Sequence, residues 1–99
     1  MNKLPEELIE LHNNYLGEYA WKIFVNSLRL SESEVDKLFD SEISEDVAKV
    51  LLCKVGPVEH SKRWLETNIP ALHNYKPLDV IKNYKEGEEI IRSILMRMP

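Results

Sequence analysis

Catalysis needs a nucleophile, a base or a metal with an orienting partner, and the side chains that could supply them are few and scattered in this chain. His12, His60 and His73 lie far apart, and none stands at a recognisable metal-site spacing from another His, Cys or carboxylate. His60 adjoins Glu59, which puts the two on different helix faces, so all three histidines read as surface residues. Cys53 sits among Leu51, Leu52 and Val55, where a thiol behaves as a small hydrophobe of the core or its boundary. Being the only cysteine, it excludes an internal disulfide. Glu86, Glu88 and Glu89 could suggest acid–base work, but beside Gly87 they suit the start of a helix, whose dipole favours solvated anions. Gly17, Gly56 and Gly87 are isolated, so no glycine-rich cradle for phosphate is present. The expectation is a protein that is not an enzyme and holds neither metal nor cofactor.

The elements that would position these residues read as helices throughout, because no stretch alternates apolar and polar residues as a half-buried strand does. The expected fold is all-α, a small single-domain bundle of about six to seven short helices. Leu4, Leu8, Leu11 and Tyr15 form the stripe of a first helix that Pro5 opens and that ends near Gly17. Residues 19–30 carry apolar side chains on more than one face, which predicts a central helix surrounded by others. Ser31-Glu32-Ser33-Glu34 is a capping box ahead of Val35, Leu38 and Phe39, a short third helix. Ser44 caps a fourth, with Val47, Val50, Leu51 and Val55 inward, and Gly56-Pro57 stops it. Trp64 and Leu65 lie on a fifth, followed by an irregular link through Leu72 that wraps the core. Pro77 opens the next, and after a break at residues 84–87 the last helix presents Ile91, Ile94, Leu95 and Met98 on one side.

Ninety-nine residues, 43% apolar and 30% charged, make one domain, in which most large apolar side chains are needed for the core. The net charge of −4 and the pI near 5.4 argue against general nucleic-acid binding. No apolar run approaches the roughly 20 residues of a membrane span, and the acidic start is unlike a signal peptide, so the expected location is the cytoplasm. Charge is uneven: residues 1–57 are net −5 and residues 58–99 net +1, with seven acidic residues and one lysine in residues 31–46.

Several spaced elements of residues 61–98 carry a resemblance. They are Arg63-Trp64-Leu65, then Pro70 and Leu72, Pro77-Leu78-Asp79, and Glu86-Gly87 followed by Ile91 and Leu95. Together they resemble the toxin-binding domain of the Xre/MbcA/ParS antitoxins, whose pattern is a Trp-Leu pair, a short proline link ending in Leu, a Pro-Leu-acidic helix start and a last helix opened by Gly. Trp64, Leu65, Leu72, Pro77, Leu78, Gly87 and Leu95 are the framework positions of that pattern. From the residues alone, Trp64 is expected in the core with Leu72, Leu78 and Ile81 around it, and Gly87 is expected at a close helix approach or a positive-φ break. The resemblance implies a region 58–99 that binds a RES-domain toxin consuming NAD, packed as one domain with a degenerate helix-turn-helix region at 1–57. It further implies that the end of the last helix obstructs the toxin's cleft, which makes Arg92, Met96, Arg97, Met98 and Pro99 the partner-binding candidates.

Where the family places a basic recognition helix, this chain reads Asp40-Ser41-Glu42-Ile43-Ser44-Glu45-Asp46, which a DNA duplex would repel. DNA binding is therefore not expected. Two other readings stand beside the antitoxin-like one: a helix-turn-helix regulator whose basic surface forms on dimerisation, and a small phage or mobile-element inhibitor, for instance of a CRISPR effector, using its acidic helices as a phosphate mimic. Apolar excess on residues 19–30 suits a homodimer and burial within one subunit equally well.

Overall fold

The computed structural model describes residues 3–28 and 43–97. Among them are six α-helices, with no strand: α1 (Glu6–Asn13), α2 (Glu18–Ser27), α3 (Glu45–Lys54), α4 (Val58–Leu65), α5 (Pro77–Asn83) and α6 (Gly87–Met96). One turn of 3-10 helix at Pro70–Leu72 interrupts the link between α4 and α5. The fold is a small all-α domain, as the periodicity predicts. The expected capping box at residues 31–34 and the short helix of Val35, Leu38 and Phe39 lie outside the described residues.

The helix boundaries follow local chemistry. Pro5 is the N-cap of α1, and Glu6 and Glu7 occupy the first turn where the dipole favours anions. Ser44 caps α3 by accepting a hydrogen bond from the Val47 amide at 3.4 Å. Gly56, at φ 134°, turns the chain out of α3, and Pro57 caps α4. Ser61, fully buried, donates to the Gly56 carbonyl at 2.9 Å and ties α4 to that turn.

The expected central helix is not α2. Trp21, Phe24, Val25 and Leu28 share one side of it and turn inward, with Trp21 fully buried and the other three half-buried. Tyr19 and Ile23 lie two residues either side of Trp21 along the chain, hence about 200° around the helix from it, and face solvent. A helix with apolar residues on opposite faces buries both only if neighbours surround it, and the packing partners of α2 are α3 and α6.

The spine is α6. Gly87, Ile90, Ile91, Ile94 and Leu95 recur at three- and four-residue spacing and are all buried, and α6 packs on α5, α1, α3 and α2. Around it lie Leu4 and Leu8 of the first segment, Val47, Val50 and Leu51 of α3, Leu65, Leu72 and Val80, in one continuous core. Gly87 opens this helix because nothing larger fits. A Cβ there would stand 2.7 Å from the Val80 carbonyl carbon and 2.8 Å from the Ile81 Cα, closer than real Cβ atoms come. Of the two expectations for Gly87, the close approach is the one observed.

Candidate functional site

The residues expected to face a partner separate into two groups. Arg92 is turned inward, with its side chain only 11% exposed. Its guanidinium lies 5.0 Å over the Trp21 ring, donates to Tyr15 Oη at 3.1 Å and to Glu18 Oε2 at 2.5 Å, and has Glu88 Oε1 3.9 Å away. Burial works to lower its pKa, but the hydrogen bonds to Tyr15 and Glu18 outweigh it and hold the guanidinium above its ordinary value. Arg92 is thus a staple joining the α1–α2 connection to α6 rather than an outward contact. The reason is positional: it borders the apolar stripe of α6 where α2 crosses, and its stem covers Trp21 while its head meets the carboxylates.

Met96 and Arg97 form the second group. Met96 is half-buried against the core edge, and Arg97 is exposed at the C-cap of α6. Together with Asn14, Leu16 and Ser93 they line a small hollow of about 80 Å³. Met98 and Pro99, the remaining candidates, lie outside the described residues.

The framework residues of the resemblance have different fates. Leu65, Leu72 and Leu95 are fully buried or nearly so, as are Pro77 and Gly87, while Leu78 is half-buried. Trp64 is also only half-buried, contrary to its expected place in the core. Leu65 and Ser61 set the inward face of α4, so the residue just before Leu65 is carried to the rim. There Trp64 lines an open cleft with Val55, His60, Arg63, Thr67 and Ile69. The fully buried tryptophan is Trp21.

Cys53, expected in the core or at its boundary, is exposed, because Val47, Ala48, Val50 and Leu51 define the opposite face of α3. His60 and His73 are exposed as expected, whereas His12 is half-buried with its Nε2 2.7 Å from Glu89 Oε1. A second tie across the fold joins Tyr75 to Glu7, the hydroxyl donating at 2.8 Å. The Glu7 carboxyl lies below its ordinary value, held there by a backbone hydrogen bond first and by Tyr75 second, and the same bond pushes the Tyr75 hydroxyl up. Among the described residues no group of three or more His, Cys, Asp or Glu side chains could hold a metal, and no helix is long and apolar enough to cross a membrane.

The feature that sequence reasoning did not single out is an apolar surface. Leu16 is 75% exposed, Tyr19 80% and Ile23 54%. Tyr19 and Ile23 are neighbours at i, i+4 on the outer face of α2, and Leu16 stands just ahead of them, beside Met96 and Arg97. The signal was present as an apolar excess on residues 19–30, more than one peripheral helix can bury. No protein-family model, no curated protein and no solved structure matches the chain.

Proposed function

We propose that the chain is a cytoplasmic, antitoxin-like interaction domain that binds a partner enzyme and occludes it, the partner being of the RES-domain, NAD-consuming class that the resemblance implies. The observation that carries this reading is the exposed set Leu16, Tyr19 and Ile23 bordered by Met96 and Arg97. A domain this small needs its large apolar side chains inside, so three left in solvent along one edge mark a surface that another protein covers. Tyrosine and leucine supply rigid contact area, methionine adapts to an irregular wall, and Arg97 can pair with a carboxylate in a cleft. Burial of the framework positions Leu65, Leu72, Pro77, Gly87 and Leu95 supports a division of labour in which the shared pattern builds the fold and the edge makes the contact.

The test is co-expression with a RES-domain toxin encoded in the neighbouring reading frame, scored by growth and by cellular NAD. The parent should restore both. A variant carrying Leu16→Ser, Tyr19→Ser and Ile23→Ser should lose protection while its melting temperature stays near the parent's, since exposed substitutions shift stability by only about 0.5 kcal/mol each. Failure of the parent to bind the toxin, or full protection by the triple variant, overturns the reading.

A further inference from the structure

The cleft at Trp64 lies on another part of the surface, has no role in the proposal above and is independent of it. Its volume is about 270 Å³, and it is lined by Val55, His60, Arg63, Trp64, Thr67 and Ile69. Small-molecule sites usually span about 300–1,000 Å³, so this space suits one or two side chains rather than a cofactor. Its walls are fixed before anything binds. Ser61 locks the Gly56 turn beside Val55, and Ile69 is held by its amide donating to the Tyr75 carbonyl at 3.1 Å and by its carbonyl accepting from Asn74 at 2.9 Å. Thr67 Oγ1 donates to the Arg63 carbonyl at 2.6 Å, which spends its hydroxyl proton on the backbone. A site that needs no reordering keeps more of its contact energy as affinity.

The charge around the cleft names its occupant. No carboxylate lines it, while Arg63 stands at its edge with no ion-pair partner among the described residues. Glu59 and Glu66 lie along the other side of Arg63, with Lys62, and leave the guanidinium unpaired. His60 adds an exposed imidazole on the cleft side. A permanent cation beside an apolar floor containing a half-buried tryptophan recognises an apolar ring next to an anion.

We propose that this cleft docks an acidic linear peptide through one aromatic anchor, with the ring seated against Trp64, Val55 and Ile69 and a neighbouring carboxylate on Arg63. The carboxylate fixes the direction of the peptide, because Arg63 lies at one edge only.

The experiment titrates a fluorescein-labelled hexapeptide, Gly-Asp-Asp-Phe-Glu-Asp, into the full chain, with the same peptide carrying Ser for Phe as control. Polarisation gives the affinity, and amide and indole NMR signals of the labelled protein give the location. Saturable binding is expected with the Trp64 indole N–H and the Val55 and Ile69 amides moving, and with the Ser peptide binding about tenfold or more weaker. Arg63→Glu should weaken the parent peptide by about tenfold or more, and Glu66→Gln should tighten it slightly. Thr67→Met, placed at the exposed rim to fill the cleft without adding charge, should weaken binding about tenfold or more with the fold intact. Equal affinity of the Phe and Ser peptides, an unchanged affinity in Arg63→Glu, or shifts confined to Tyr19 and Ile23 would overturn the assignment. So would movement of the cleft signals on raising protein concentration alone, which would make a second copy of the chain the occupant.

Discussion

Gly87→Ala sets two effects of opposite sign against each other, and their magnitudes decide the outcome. Replacing Gly by Ala in a helix ordinarily stabilises, by up to about 1 kcal/mol, through better propensity and a less flexible unfolded chain. Here the new methyl would overlap the backbone of α5 at Val80 and Ile81, with 2.7 and 2.8 Å to two of its carbons and less to the Val80 oxygen. Backbone cannot swing aside as a flexible side chain can. The seam must open, and α6 carries Ile90, Ile91, Ile94 and Leu95 into the core with it. Overpacking costs about 1–3 kcal/mol, and a clash with main chain on the central helix belongs at the upper end, so the net destabilisation is about 2 kcal/mol or more. In a domain of this size that lowers the melting temperature by roughly 8–16 °C. Far-UV circular dichroism melts of parent and variant measure it, with urea unfolding as a second reading. A Gly87→Ala protein that melts at or above the parent's temperature would refute the close α5–α6 approach.

The two tryptophans should differ: Trp21→Ala costs about 3–5 kcal/mol, the usual figure for a fully buried aromatic, while Trp64→Ala costs clearly less. Equal losses in urea unfolding would mean that Trp64 is core after all. Arg92→Glu places a carboxylate between Glu18 and Glu88 above the Trp21 ring and should destabilise by about 2–3 kcal/mol, a buried-pair cost reduced for the exposure of Glu18; Arg97→Glu should leave the melting temperature nearly unchanged, and parity of the two variants would count against the staple. For Glu7 the folded pKa lies below its ordinary 4.5, so its contribution is complete above that pH and is lost as pH falls through the depressed value. Tyr75→Phe removes one of the two causes, so its stability difference from the parent should be largest above pH 4.5 and shrink on acidification, as a pH series of melts would show.

Most of the fold was legible because its signals are local. Ser44 as a cap, Pro57 and Pro77 as helix openers, the Gly56-Pro57 stop and the break before Gly87 each act within a turn of their own position, and each is found where the spacing predicts. What local pattern does not contain is which helix occupies the centre. Residues 19–30 and α6 are both rich in apolar side chains, but in α6 they fall on one broad arc, whereas in α2 Tyr19 and Ile23 oppose Trp21. The same omission misplaced Trp64 and Cys53, whose neighbours in sequence are apolar but whose helices are turned by Leu65 and by Val47 and Leu51. The long-range ties of Arg92 to Glu18 and of His12 to Glu89 have no sequence signature at all, since their partners lie 74 and 77 positions apart.

The inward turn of Arg92 moves the boundary between fold and contact along α6. Up to Leu95 the inward face of the helix is committed to packing, and Arg92 at the border of that face is committed to holding α2 in place through Trp21 and Glu18. Among the described residues at the end of α6, Met96 and Arg97 are the ones that can face a partner, and two side chains make only a small contact. A contact surface built at that end must therefore recruit a neighbouring element. The neighbour in reach is the α1–α2 connection, whose Leu16 shares a hollow with Met96 and Arg97 and leads directly to Tyr19 and Ile23. Arg92 then has an indirect bearing on recognition: by fixing α2 against α6 it sets the angle at which the exposed face of α2 is presented beside Arg97. Loss of Arg92 should accordingly weaken partner binding together with stability, whereas loss of Tyr19 or Ile23 should weaken binding alone.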